Sequence, residues 1–153
     1  MNDVEIFNQR QVWFDTATRK LFEQGGPSMA PGGGGCVYST PTGRGCAVGV
    51  LLSDEEKAFL IQNNLNNRQI SLVIDESNYL TQFKSDMAFI RELQSCHDNA
   101  ALNYPRTSNK EYDDEEWIDP WGEYGVAKNL QKFAIKYNLN ATVLYSSFGY
   151  PSE

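Results

Sequence analysis

The sequence is poor in basic residues, in cysteine and in histidine. Its 13 lysines and arginines stand against 20 aspartates and glutamates, which gives a formal net charge of -7. Such a chain repels phosphate backbones, and this argues against nonspecific binding to nucleic acids. The three cysteines are an odd number, which favours reduced thiols in a cytosol over the disulfide framework of a secreted protein.

Long apolar runs are also missing. The longest ones, such as residues 47–52, are far too short to cross a bilayer, and the first residues lack the basic and apolar regions of a signal peptide. We therefore expect a cytoplasmic protein with no membrane partner. A length of 153 residues with 41% hydrophobic content suits one core, so we predict a single domain over residues 1–153.

Helical signals are present in four places. Apolar residues at 3.6-residue spacing predict amphipathic helices over residues 4–22 and 82–99, and the second places His97 on or beside its apolar face. A capping box at residues 53–56 predicts a helix that runs to about Gln62.

The last helix is predicted to start near Asp119-Pro120, because aspartate is a good N-cap and proline suits the first helical position. It should bury Val126, Leu130, Phe133 and Tyr137.

Extended signals complete the predicted fold. Residues 36–40 and 46–51 flank a connector rich in turn formers, which predicts a β-hairpin, and residues 141–145 are β-prone enough for a last strand. Residues 70–74 fit either a strand or a short helix. We therefore predict an α+β fold: three main amphipathic helices and a shorter fourth, packed with a small antiparallel sheet seeded by the hairpin.

A loop rich in glycine and proline is predicted over residues 25–35. Its glycines could form an anion-binding nest for a nucleotide or small phosphate, with Gly34, Gly35 and Arg44 as the candidate ligand-binding residues. The phosphate-binding motifs G-x-x-x-x-G-K-[ST] and G-x-G-x-x-G are both absent, so a plain flexible linker is the competing interpretation.

Cysteine catalysis would require Cys46 as nucleophile, His97 as base and Asp98 as orienting carboxylate, since the chain has no other histidine. Neighbouring residues on a helix point about 100 degrees apart, so we expect Asp98 to be poorly placed to hold the His97 ring. The alternative is a core thiol with a hydrogen-bonded histidine. We assign no catalytic residues and expect a binding protein rather than an enzyme.

A zinc site would draw on Cys36, Cys46, Cys96 and His97. These residues supply a full tetrahedral set, but the C-x2-C spacing that makes zinc motifs specific is missing. We predict neither a metal nor a cofactor, and we expect Cys36 and Cys46 to face each other across the hairpin as small apolar side chains.

An acidic aromatic insert is predicted over residues 104–119. Carboxylates and aromatic rings alternate over residues 111–123 without a single lysine or arginine, which suits docking to a basic partner. The alternative is a solvated acidic loop whose tryptophans anchor the last helix. The candidate partner-binding residues are Tyr112, Asp113, Asp114, Glu115, Glu116, Trp117 and Trp121.

A series of short motifs follows the chain in order. The motif residues are Gln24, Ser28, Met29, Gly35, Cys36, Val37, Tyr38, Gly43, Cys46, Ala47, Val48, Gly49, Leu51, Leu52, Asp54, Glu55, Leu93, Gln94, His97, Asp98, Trp121, Phe133 and Leu139. In this order they resemble a family of small uncharacterised proteins of tailed bacteriophages and prophages. The sequence departs from that pattern at Val50, where a cysteine or another small residue is common, and in the acidic insert.

The family resemblance implies a phage origin but no established activity. From it we expect a phage accessory protein that binds a host protein through the acidic aromatic surface, for example to inhibit a host defence system. The alternative is a binder of a small molecule or nucleotide signal, or a Cys/His hydrolase, built on the glycine-rich loop, the hairpin and His97.

Overall fold

The computed structural model describes residues 2–29, 36–74, 80–103 and 116–151. Over these ranges the chain forms six α-helices, and two 3-10 helices lie at Gly49–Leu51 and Leu80–Asp86. The α-helices are α1 (Asp3–Gln24), α2 (Asp54–Gln62), α3 (Ile70–Val73), α4 (Met87–Asn103), α5 (Val126–Lys136) and α6 (Thr142–Phe148).

The predicted α+β fold is wrong for the described part of the chain, which is helical and contains no β-strand. A single isolated bridge between Met29 and Cys36 is the only β-type pairing there. The predicted strand at residues 141–145 lies in α6, and residues 70–74, which fitted either element, contain α3.

The hairpin fails because each half of it bonds elsewhere. The amide of Val37 donates to the Ser28 carbonyl and that of Tyr38 to the Asn66 carbonyl. On the other side, the Val50 amide donates to the carbonyl of Cys46, four residues back, in a helical turn. The apolar side chains of residues 37–38 and 46–50 are buried, but their backbone forms no sheet.

The predicted first two helices are confirmed. Helix α1 starts after the N-cap Asn2 and ends at Gly25, whose φ of 81° gives the left-handed C-cap that glycine adopts without strain. Helix α2 starts with the predicted capping box between Ser53 and Glu56 and ends at Gln62.

The later helices start further along the chain than predicted. A 3-10 helix precedes α4, and α5 starts after the N-cap Gly125 instead of at Pro120. Asp119 is not an N-cap: its φ of 44° turns the chain before α5 begins. Val126, Leu130 and Phe133 are buried on α5, as predicted, whereas Tyr137 is its C-cap and is only partly buried against the core.

The core is built around aromatic side chains. Phe133 of α5 stacks on Phe14 of α1 at a centroid distance of 6.0 Å and packs on Phe89 of α4 at 4.9 Å. Trp13 adds contacts to Phe89 and to Phe83 of the second 3-10 helix. These contacts hold α1, α4 and α5 around one apolar centre.

Helix pairs extend this centre outward. Helix α4 packs on α5 and α3, and α1 packs on α6 and on the first 3-10 helix. Among the described residues no helix combines the length and the apolar character needed to cross a membrane.

Gly49 marks the closest approach between two parts of the backbone. A Cβ atom at this position would lie 2.0 Å from the carbonyl oxygen of Tyr38, which is buried beside it. Only glycine therefore fits where the turn at Gly49–Leu51 crosses residues 37–39.

We expect Gly49→Ala to lower the free energy of unfolding by at least about 2 kcal/mol, because the methyl group forces two buried backbone segments apart. Urea denaturation measures the change. The control is Ala58→Ser, which also adds one heavy atom but at an exposed position of α2. Equal stability of G49A and the wild type would show that the two segments are not in contact.

Candidate functional site

An open cleft of about 360 Å³ lies between α4 and residues 67–71. Helix α4 contributes Arg91, Gln94, Ser95 and Asp98 to its lining, and residues 36–38 also line it. Gln94, Ser95 and Asp98 follow Arg91 by three, four and seven positions and therefore lie on the same side of the helix.

His97 is fully buried directly behind this cleft. Its Nε2 accepts a hydrogen bond of 2.9 Å from the backbone amide of Ser28. A nitrogen that accepts carries no proton, so the proton of the neutral ring lies on Nδ1. Nδ1 donates it to Asp98 Oδ1 at 2.7 Å.

The expectation that Asp98 is poorly placed for His97 is therefore wrong. The two residues are neighbours on α4, yet their side chains bend toward each other and form a short hydrogen bond. The angle of about 100 degrees applies to the Cα–Cβ directions and does not limit the side-chain tips. Asp98 accepts from His97 Nδ1 while its own side chain stays 30% exposed in the cleft.

A metal does not fit this cluster. Cys36 Sγ, a His97 nitrogen and an Asp98 oxygen lie within 4.8 Å of one another, which is close enough for a metal set. However, the Nε2 lone pair is used by the Ser28 amide, and a metal on Nδ1 would move the proton to Nε2, where it would face that amide. Either arrangement leaves a buried N–H without an acceptor, which opposes binding.

The four-ligand zinc set is not assembled either. Cys46 and Cys96 do not join the cluster of Cys36, His97 and Asp98. Cys36 and Cys46 do not face each other across a hairpin; Cys36 Sγ instead lies 3.4 Å from Met29 Sδ.

Cysteine catalysis at Cys46 lacks an accessible thiol. Burial raises the pKa of Cys46 to about 12, and the nearby charge of Asp98 acts in the same direction. The Cys46 sulfur accepts a hydrogen bond from the Gly49 amide, and the lone pair of His97 that could serve as a base is already used. The geometry therefore favours a core thiol and a hydrogen-bonded histidine over a hydrolase.

The candidate anion site at the glycine-rich loop is only partly described. Gly34 and Gly35 lie outside the described residues. Arg44 donates a hydrogen bond to the Pro27 carbonyl and does not line the cleft. The cleft contains two other arginines, Arg68 and Arg91, that the sequence analysis did not select.

The acidic aromatic insert is described only from Glu116 onward; residues 104–115, with Tyr112, Asp113, Asp114 and Glu115, lie outside the described ranges. Glu116 is exposed. The Trp117 indole donates to the Leu21 carbonyl and the Trp121 indole to the Phe148 carbonyl. Both tryptophans are half-buried anchors, and the edge of Trp117 also meets the His97 ring at 5.8 Å.

Trp121 also starts a row of stacked rings that the sequence analysis missed. Tyr145 stacks on Trp121 at 6.0 Å, and Tyr150 stacks on Tyr145 at 4.7 Å. Tyr150 is 77% exposed, so the row reaches solvent. We call these three residues the aromatic row. A spacing of five residues between Tyr145 and Tyr150 carries no helical or strand period that would have identified it.

The fold and the site thus define a small helical protein with an open polar cleft and an aromatic surface. Comparisons with protein-family models, with curated proteins and with solved structures find no match. The resemblance to phage proteins stays a prediction.

We expect His97→Leu to lower the free energy of unfolding by about 3 kcal/mol, because it leaves the buried Ser28 amide without its acceptor. Leu102→Ala is the control: it truncates an exposed side chain of the same helix and should change stability by less than about 0.5 kcal/mol. Chemical denaturation compares the two. A loss no larger for H97L than for L102A would contradict the hydrogen-bond assignment.

We also expect the buried thiols to resist alkylation. Burial raises the pKa values of Cys46 and Cys96 to about 12, so their thiolate fraction at pH 8 is roughly a thousandfold below that of an ordinary cysteine. Peptide mass spectrometry after iodoacetamide treatment should show both protected in the folded protein and modified in urea. Fast modification of folded Cys46 at pH 8 would instead indicate an activated nucleophile.

Proposed function

We propose that this chain is a phage-encoded accessory protein that binds a host protein through an acidic aromatic surface. That surface consists of the exposed carboxylates Glu116, Asp119 and Glu123, the ring of Tyr124 and the aromatic row. The observation that carries the proposal is the stack of Trp121, Tyr145 and Tyr150, which starts two residues from Asp119 and Glu123 in the sequence and ends in the exposed ring of Tyr150. The phage origin rests on the resemblance of the sequence alone.

The chemistry of this surface fits a basic partner. Tyr124 is 53% exposed, and residues 116–127 contain no lysine or arginine. Exposed rings attract arginine and lysine through cation–π contacts, and carboxylates around them steer a basic surface into place. Trp117 and Trp121 fix this segment to the helices, because their indole N–H groups donate hydrogen bonds to backbone carbonyls of α1 and α6.

A pull-down from bacterial lysate tests the proposal with matched variants. We expect the pair Tyr124→Ala and Tyr150→Ala to lower recovery of a basic host protein at least tenfold, because the rings at an interface core carry most of its energy. Glu123→Lys should weaken the same partner, and added salt should weaken binding to the wild type.

Two control variants distinguish binding through this surface from nonspecific binding. Ile135→Ala removes an apolar side chain that is 75% exposed on α5, and Glu55→Lys reverses an exposed charge on α2. Both should leave the recovered proteins unchanged. If the ring and charge variants recover the same proteins in the same amounts as these controls, the proposed surface is not the interface.

A further inference from the structure

The cleft beside His97 has a ligand chemistry of its own, separate from the acidic aromatic surface. It is lined by two cations and one anion, Arg68, Arg91 and Asp98, in a chain whose net charge is -7. A local excess of positive charge attracts anions, even in a protein that is acidic as a whole.

The two arginines are available for a ligand. Both are exposed at the mouth of the cleft, and neither guanidinium has a hydrogen bond or an ion pair with the described part of the chain. By contrast, Arg10 is held by Asp86 in a two-pronged salt bridge of 2.6 and 2.8 Å. Guanidinium groups match the oxygens of a phosphate in the same two-pronged way.

Asp98 supplies a negatively charged hydrogen-bond acceptor to the cleft, seven residues after Arg91 on α4. Its Oδ1 accepts a hydrogen bond from His97 Nδ1, which orients the carboxylate, and its side chain is 30% exposed in the cleft. A carboxylate has about four acceptor positions, so it can take further N–H donors from a ligand. Arg91 and Asp98 are seven residues apart, which separates them by about 10 Å along α4.

We propose that the cleft binds a nucleoside monophosphate, with the phosphate on Arg68 and Arg91 and the base on Asp98. A mononucleotide spans this distance from its phosphate to the pairing edge of its base. Asp98 selects a base with neighbouring N–H donors on that edge, as guanine has, and disfavours adenine, whose N1 is an acceptor. Val37 and Ile70 are buried apolar residues that line the cleft, and they offer the base an apolar contact.

The first test is a titration of the ¹⁵N-labelled protein with GMP, AMP and inorganic phosphate, followed by NMR. We expect saturable shifts of the Gln94, Ser95 and Ser71 amides with GMP, and affinity for GMP at least tenfold above that for AMP or phosphate. Absence of saturable GMP shifts overturns the proposal. Equal affinity for phosphate and GMP overturns the assignment of the base to Asp98.

Variants then test which residues bind the phosphate and which bind the base. Arg68→Gln with Arg91→Gln should weaken GMP binding at least tenfold, since a charged hydrogen bond contributes a tenfold effect or more. The control pair, Arg19→Gln with Lys132→Gln, lowers the net charge equally at exposed positions outside the cleft and should bind GMP like the wild type. Equal losses in both pairs would mean that net charge alone is responsible and would overturn the site.

Asp98→Asn tests the base end. The asparagine oxygen can still accept from His97 Nδ1, so the fold is retained, and urea denaturation checks this. We expect the preference for GMP over AMP to disappear while affinity for inorganic phosphate stays the same. A preserved preference in D98N would show that Asp98 does not read the base.

Discussion

The hydrogen bond from the Ser28 amide to His97 Nε2 is the contact on which the arrangement of the site depends. It joins the chain just after α1 to the middle of α4, across 69 residues of sequence. Because the acceptor nitrogen is Nε2, the ring proton must lie on Nδ1, and this proton holds Asp98. One buried interaction thus sets the tautomer of the histidine and the orientation of a carboxylate in the cleft. It also leaves the ring no lone pair for a metal or for a thiol.

Other contacts at this junction follow the same pattern. Gln24, at the end of α1, exchanges hydrogen bonds with Gly45 in both directions. Gln94 of α4 accepts from the Val48 amide, and the Ser28 hydroxyl donates to the Val37 carbonyl. Several of the short-motif residues from the sequence, Gln24, Ser28, Val37, Val48, Gln94 and His97, therefore take part in these contacts, although they are far apart in the chain. A buried polar network of this kind specifies one arrangement of loop and helix, because each unpaired member would carry a desolvation cost.

The sequence predicted the parts of the fold that local chemistry determines. The Ser53 capping box was predicted, since it depends on a few adjacent residues. The hairpin over residues 36–51 was wrong because apolar, β-prone residues show that a segment is buried without showing what its backbone bonds to. Here Tyr38 bonds to Asn66, a partner that no local pattern indicates. At the site, helical spacing placed His97 on or beside an apolar face, but it decided neither the burial of the ring nor its contact with Ser28.

The measurement that tests the account most directly is the ¹⁵N chemical shift of the two ring nitrogens of His97. The chain has one histidine, so the imidazole signals in a long-range ¹H–¹⁵N correlation spectrum of the labelled protein belong to His97. At pH 7.5 we predict a protonated Nδ1 and an unprotonated Nε2, the less common neutral tautomer, held by Ser28 and Asp98. A proton on Nε2, or a charged ring at this pH, would contradict the assignment and with it the account of the cleft.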